Sequence, residues 1–137
     1  MLAYISSPYN HSDDNVKAER VLKVARFTAK LIAFGISSIS PIVHNVSIME
    51  KAPDIIKPGW DNWKNEDESM LSACDVMIIY CLDGWTESKG IACEIDICVR
   101  KSIPYYHADD STDLNELLDR IIGDLNLKKN SEFPCGL

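Results

Sequence analysis

Two carboxylates in this 137-residue chain have apolar neighbours at helical spacing. Five apolar residues stand three, four or seven positions from Asp67: Trp60, Trp63, Met70, Leu71 and Cys74. The residues three and four positions from Glu94 are also apolar or small: Gly90, Ile91, Ile97 and Cys98. Because such residues share one face of an α-helix, both acids are predicted to lie on or beside a buried stripe.

Buried carboxylates need a reason, because removing one from water costs several kcal/mol. Each acid alone could equally well cap a backbone segment or pair with an arginine. Two acids that face the same crevice suit the cleavage of a glycosidic bond. In that reaction one carboxylate attacks the anomeric carbon, and the other manages protons or orients the leaving group.

The elements that must position these acids alternate along the chain. Apolar runs predict strands over 2–6, 36–39, 75–82 and 103–106, and helical patterns fill about 13–34, 62–73, 87–101 and 113–125. Residues 42–59 are predicted to form a long, mostly irregular loop. We therefore expect an α/β fold: a three-layer flavodoxin-like sandwich with a parallel sheet in the order 2-1-3-4. One domain over 1–125 and a C-terminal tail over 126–137 complete this prediction.

Ligands of such sheets bind beyond the carboxyl ends of the strands, at the switch point between strands one and three. The run Ser6 to Tyr9 would line one side of this crevice, and the run Asp83 to Gly90 the other. The second run leads into a helix N-terminus, where Thr86 and Ser88 provide hydroxyl groups. It predicts a seat for a phosphate or an oxyanion, although an ordinary helix cap explains the pattern as well.

Composition limits the class of partner. Lys and Arg total 14, Asp and Glu total 21, and the net charge is −7. This excess of acid argues against a protein that binds nucleic-acid polymers or anionic membranes. A single phosphate would therefore be met by the Ser88 helix N-terminus, not by a basic patch.

Metal, redox and targeting signals are weak in this sequence. The five cysteines form no C-x-x-C pair, and the three histidines, His11, His44 and His107, lie far apart, so we expect no metal and no cofactor. The chain enters a strand at once and contains no apolar run near the ~20 residues of a membrane span. We expect a cytoplasmic protein.

Three motifs, taken in order, carry a resemblance. The first strand opens as Tyr4-Ile5-Ser6-Ser7-Pro8-Tyr9, and Asp67 precedes Asp75 by eight residues. The third motif runs from Ser88 to Glu94. Over roughly residues 3–106 the chain resembles the nucleoside 2-deoxyribosyltransferase superfamily.

The resemblance implies roles for four residues. Glu94 aligns with the nucleophile that attacks C1′ of the sugar, Asp67 with the acid that helps the base to leave, and Tyr4 with the tyrosine that orients the nucleophile. Ser88 stands where the transferases carry an aspartate for the 5′-hydroxyl, and where related monophosphate hydrolases carry a serine beside the 5′-phosphate. An aspartate would repel a phosphate, whereas a serine can donate a hydrogen bond to it.

Three functions stay open at this point. The first is hydrolysis of the N-glycosidic bond of a (deoxy)nucleoside 5′-monophosphate, the second is base exchange by a 2-deoxyribosyltransferase, and the third is a non-catalytic sensor that binds a nucleotide or ADP-ribose. The resemblance also implies a homo-oligomer that binds a small nucleotide or nucleoside. The predicted substrate-binding residues are Ser6, Ser7, Pro8, Tyr9, His44, Asp83, Trp85, Ser88 and Gly90.

Overall fold

The computed structural model describes residues 1–132, with side chains described through residue 128. Four parallel strands form one sheet in the order β2-β1-β3-β4. The strands are β1 Ala3–Ser6, β2 Ser38–Ile39, β3 Val76–Tyr80 and β4 Tyr105–Ala108. The helices are α1 Asp14–Phe34, α2 Pro41–Lys51, α3 Trp60–Ser72, α4 Lys89–Lys101 and α5 Leu114–Glu132. The predicted α/β class and strand order are confirmed.

Side chains of the central strands alternate between two covered faces, as the period of two in a strand requires. Tyr4 and Met77 point to one face, where they pack with residues of α3 and α4, among them Leu71, Ile91, Ile97 and Cys98. Ile5 and Ile78 point to the other face and pack with residues of α1 and α5, among them Val24, Phe27, Leu31, Leu117 and Ile121. The sheet is therefore the middle of three layers, which explains why β1 and β3 are buried along their whole length.

Helix α1 begins and ends where its sequence predicts. Asp13 is the N-cap of α1 and its carboxylate accepts a hydrogen bond from the backbone of Asn15 at 2.8 Å. Gly35 follows the helix with a φ of 111°, a left-handed conformation that a glycine adopts without strain. An aspartate before a helix and a glycine after it are typical capping residues, so residue type alone indicates both ends of α1.

The prediction of an irregular loop over 42–59 is wrong for its first half, because Pro41–Lys51 is helical. Ser40 caps this helix by accepting a hydrogen bond from Val43 N at 3.3 Å. Pro41 occupies the first turn, where its missing N–H costs nothing. Pro41 follows the predicted second strand and begins α2. Only 52–59 connects α2 to α3.

Three boundaries also differ from the prediction. The last helix continues to Glu132, so 126–132 is helical and not a tail, while 133–137 lies outside the described residues. Strand β4 lies two residues later than predicted, and Trp85–Glu87 forms a single 3₁₀ turn before α4.

Within the described part of the chain, no helix combines the length and the apolar character needed to cross a membrane.

The capping of α2 can be tested by Ser40→Ala. This change leaves the backbone N–H of Val43 without its partner and should lower the free energy of unfolding by about 1 kcal/mol, as measured by urea denaturation. Ser12→Ala, at an exposed serine outside α1, is the control and should leave the unfolding midpoint near that of the wild type. Equal stability of the two variants would contradict the role of Ser40.

Candidate functional site

A cavity of about 860 Å³ opens beyond the carboxyl ends of β1 and β3. Its volume falls within the ~300–1,000 Å³ usual for small-molecule sites. Asp67 from α3 and Glu94 from α4 both line it. The two acids that the sequence placed beside apolar stripes therefore meet at one site, at the sheet edge where it was predicted.

Glu94 lies deep in this cavity and only 6% of its surface is exposed. It belongs to the buried stripe of α4 together with Ile91, Ile97 and Cys98. Ser6, the last residue of β1, donates a hydrogen bond from Oγ to Oε1 of Glu94 at 2.9 Å. Because β1 ends and α4 begins at the same edge of the sheet, residues 88 positions apart meet here.

Tyr4 supports the same carboxyl group from below. It stands two residues before Ser6 in β1, so its side chain points to the same face of the sheet. The ring is fully buried, and its hydroxyl forms no hydrogen bond of regular geometry with a described residue. Burial raises the pKa of Tyr4, and the nearby negative charge of Glu94 adds to this effect.

The environment of Glu94 favours its protonated form. Burial raises the pKa of this carboxyl group to about 7, and the negative charge of Asp67 contributes in the same direction. The hydroxyls of Tyr4 and Ser6 act against that rise, since they stabilise the carboxylate. Glu94 can therefore change its charge near neutral pH, which suits a group that must react as an anion.

Asp67 is half-buried on the other side of the cavity. Asn45 of α2 donates a hydrogen bond from Nδ2 to Oδ1 of Asp67 at 2.7 Å. The ring nitrogen Nδ1 of His44 lies 2.9 Å from Oδ1 of Asn45. Burial raises the pKa of Asp67, while the hydrogen bond from Asn45 lowers it. Asn45 is not among the site residues predicted from the sequence, because the sequence predicts a loop where α2 forms.

The start of α4 forms the rim of the cavity. Ser88 is the N-cap, and its hydroxyl accepts a hydrogen bond from Ile91 N at 3.3 Å. Ser88, Lys89 and Gly90 all line the cavity. The helix N-terminus that the sequence predicted as an anion seat therefore opens into the same space as the two carboxyl groups.

Basic side chains also line this rim, contrary to the expectation of an anion seat without a basic patch. Lys17 and Arg20, one turn apart on α1, line the cavity together with Lys89. Lys17 pairs with Asp14 at 3.2 Å, whereas no ion pair joins Arg20 to a described carboxylate. The sequence contains an indication of this basic pair, because Lys17 and Arg20 lie three residues apart in the first turns of α1 and therefore on one face of that helix.

Arg20 connects the two loops that frame the cavity. It donates hydrogen bonds to the carbonyl oxygens of Asn10 at 2.8 Å and Asp83 at 3.1 Å. Gly84 allows this approach, because a Cβ at position 84 would lie 2.5 Å from Nη2 of Arg20. Its φ of 90° also belongs to the left-handed region that favours glycine.

An apolar wall completes the cavity. It consists of side chains from α2 and from the start of α3: Ile42, Val46, Met49, Trp60 and Trp63. Nε1 of Trp63 and Oγ of Ser7 are buried without a hydrogen-bond partner among the described residues.

The predicted site residues separate into three groups. Those that line the cavity are Ser7, Pro8, Tyr9, Asp67, Asp83, Ser88, Gly90 and Glu94. Tyr4 and Ser6 lie behind Glu94. The structure does not bring Trp85 or His44 to the cavity surface. Trp85 packs edge-on against His107 of β4, with ring centroids 5.1 Å apart, and His44 reaches the site only through Asn45.

No group of three or more His, Cys, Asp and Glu side chains able to hold a metal ion occurs among the described residues. The four cysteines whose side chains are described, Cys74, Cys81, Cys93 and Cys98, are free thiols. Cys93 lines the cavity, and it is exposed. The other ionisable side chains that line the cavity include carboxyl groups and basic groups.

Comparison with known proteins gives a family for the chain. A family model described as "Domain of unknown function (DUF1937)" matches residues 2–108. This range covers the larger part of the chain and all four strands, so the chain belongs to that family. A search of curated proteins found no match.

The pKa of Glu94 leads to a prediction about stability. The folded-state pKa lies near 7, above the ordinary value of 4.5, so ionisation of Glu94 disfavours the folded state. Between about pH 5 and pH 9 the wild type should lose about 3 kcal/mol of unfolding free energy relative to Glu94→Gln, because one pKa unit corresponds to ~1.4 kcal/mol. Urea denaturation across this pH range measures the difference.

Glu116→Gln is the matched control for this comparison, since Glu116 is an exposed glutamate on α5. Its unfolding free energy should follow that of the wild type across the same pH range. A Glu94→Gln variant whose stability also ran parallel to the wild type would show that Glu94 is not desolvated in the folded protein.

Proposed function

We propose that this member of the DUF1937 family hydrolyses the N-glycosidic bond of a nucleoside 5′-monophosphate. The observation that carries the proposal is the pair of carboxyl groups, Glu94 and Asp67, that line one cavity, where the charge of Asp67 raises the pKa of Glu94. Their environments differ, because Glu94 is buried against β1 whereas Asp67 is half-buried beside α2. Two carboxyl groups in unlike surroundings are the usual machinery for breaking glycosidic bonds.

Glu94 is the nucleophile in this mechanism. Ser6 donates to Oε1, which leaves Oε2 free to attack C1′ of the sugar. A bond forms between Oε2 and C1′ as the bond from C1′ to the base nitrogen breaks, and the base takes the electron pair. Water then attacks C1′ and gives one proton to the carboxylate of Asp67, the bond to Glu94 breaks, and the free sugar phosphate leaves.

Asp67 is the acid that assists departure of the base. Burial raises its pKa and therefore favours the protonated form from which a proton can be given to the base. The negative charge of Asp67 raises the pKa of Glu94, so a state with one ionised and one protonated group is favoured. The reaction requires an anionic Glu94 and a protonated Asp67. Because the raised pKa of Glu94 favours the proton on Glu94 in the free protein, this proton has to move to Asp67 when the substrate binds.

Three basic side chains at the rim support an anionic substrate, although the carboxyl groups of Asp83 and Glu87 line the same cavity. Lys17, Arg20 and Lys89 line the cavity beside the N-terminus of α4. Arg20 uses two N–H groups on carbonyl oxygens and, among the described side chains, faces no carboxylate partner. A phosphate that binds at Ser88 would be close to this positive charge, although the protein as a whole carries −7.

The apolar wall supports a planar base at the opposite end of the substrate. Trp60 and Trp63 provide indole rings there, and Val46 and Met49 extend the apolar surface. Aromatic side chains offer stacking surface to a base. The base would then lie near Asp67, which belongs to the same helix as both tryptophans.

We also propose that the protein acts as a homo-oligomer in the cytoplasm. Free thiols at all four described cysteines fit a reducing compartment. Exposed apolar side chains on the outer faces of α1 and α4, Leu22 and Val99, are candidates for contacts between copies of the chain.

Replacement of the nucleophile tests the proposed reaction. Glu94→Ala should lower the rate of base release from nucleoside 5′-monophosphates by about 1,000-fold or more, because no group remains to attack C1′. Chromatography of a panel of nucleosides and monophosphates measures the free base. Glu116→Ala, far along the chain on α5, should keep the wild-type rate.

The same assay separates the alternatives. Addition of a second base would yield a new nucleoside faster than free sugar if the protein were a transferase. Calorimetry that showed nucleotide binding without turnover over hours would favour a sensor.

For the hydrolase, the wild-type rate should fall as the pH drops below about 7, where Glu94 becomes protonated. Base release by Glu94→Ala at the wild-type rate would disprove the mechanism.

The position of the phosphate can be tested separately by Ser88→Asp. A carboxylate at the start of α4 would repel a phosphate, so KM for a monophosphate should rise by at least about 10-fold while KM for the matching nucleoside changes little. Ser69→Asp, at an exposed position on α3, is the control for the added charge. Equal effects of Ser88→Asp on both substrates would argue against a phosphate at Ser88.

A further inference from the structure

Helix α2 contributes a chain of hydrogen bonds that ends on the proposed acid. Asn45 has only 7% of its surface exposed and donates from Nδ2 to Oδ1 of Asp67 at 2.7 Å. The neighbouring residue His44 is exposed, and its Nδ1 lies 2.9 Å from Oδ1 of Asn45. The arrangement therefore leads from the protein surface, through a buried amide, to a carboxyl group in the cavity.

The direction of each bond follows from the chemistry of the groups. A carboxylate oxygen can only accept, so the amide must present its NH₂ group to Asp67. The amide oxygen then faces His44, which must donate from Nδ1–H. Rotation of the amide by 180° would place two acceptors against each other at Asp67, so His44 holds the amide in its useful orientation.

We propose that Asn45 is a positioning residue that reserves Oδ2 of Asp67 for the acid proton, and that His44 locks its amide. This inference rests on the proposed function. Oδ1 of Asp67 is occupied by Nδ2 of Asn45, while no described side chain donates to Oδ2. The proton that goes to the leaving base is therefore carried by Oδ2. On its departure, the bond from Asn45 stabilises the carboxylate that remains.

Other ionisable groups act on Asp67 as well, and the test must separate them from Asn45. Glu66 on the same helix raises the pKa of Asp67, and His44 lowers it. Across the cavity, Asp67 interacts electrostatically with Glu94 and Tyr4. Because substitution of Asn45 leaves all four of these groups in place, a change in the titration of Asp67 reports on the amide.

The experiment combines a titration of the Asp67 carboxyl carbon by NMR with kinetics on the full-length protein. Asn45→Ala and the uncharged, similarly sized Asn45→Leu both remove the donor, so in both variants the pKa of Asp67 should rise. The value of kcat should fall, by up to about 100-fold, with little change in KM. Asn65→Ala, at an exposed asparagine of α3, should change neither quantity.

His44→Ala provides a variant at an exposed position, so it stays informative if the buried substitutions prevent folding. It should raise the pKa of Asp67 in the same direction and lower kcat by a smaller factor. An Asp67 titration that stayed unchanged in the Asn45 variants, or in His44→Ala if those do not fold, would overturn the inference, whatever the activity. So would an unchanged kcat in Asn45→Leu. Failure of the proposed function shows separately, as absence of base release by the wild-type protein.

Discussion

The burial of one carboxyl group, that of Glu94, is the constraint on which the site depends. Its desolvation is opposed by the hydroxyl of Ser6 and by the nearby Tyr4, so the group can ionise near neutral pH. Both supporting residues belong to β1 and point to the face that α4 covers. A carboxyl group with these properties needs a buried strand end and a helix start at the same edge, and a parallel α/β sheet provides both.

The environment of the second carboxyl group, that of Asp67, is determined by a different element of the fold. Asp67 receives its hydrogen bond from Asn45 of α2 and not from the sheet. It therefore depends on a short helix that packs between α1 and α3 and is capped by Ser40. Because separate elements control the two groups, their environments differ, and this difference is what an acid and a nucleophile at one site require.

The net charge of the protein does not describe the charges at its cavity. The chain as a whole carries −7, whereas Lys17, Arg20 and Lys89 bring positive charge to the rim where α4 begins, next to Asp83 and Glu87. Arg20 also joins the two loops at the rim through their carbonyl oxygens. The charge at the cavity is therefore set by local arrangement and not by the net charge of the chain.

Local sequence determined most of the strands and helices, the caps of α1 and the presence of Asp67 and Glu94 beside apolar stripes, because periodicity and capping act over a few residues. The strand order followed from general rules for alternating strands and helices. Only the tertiary structure decided the rest. Helix α2 was missed because a proline ends one element or begins the next with equal ease, and Asn45 was missed with it. Trp85 lies against His107 and not in the cavity, since a 3₁₀ turn aims its ring at β4. Side-chain direction and partners distant in sequence are set by packing, which no local pattern contains.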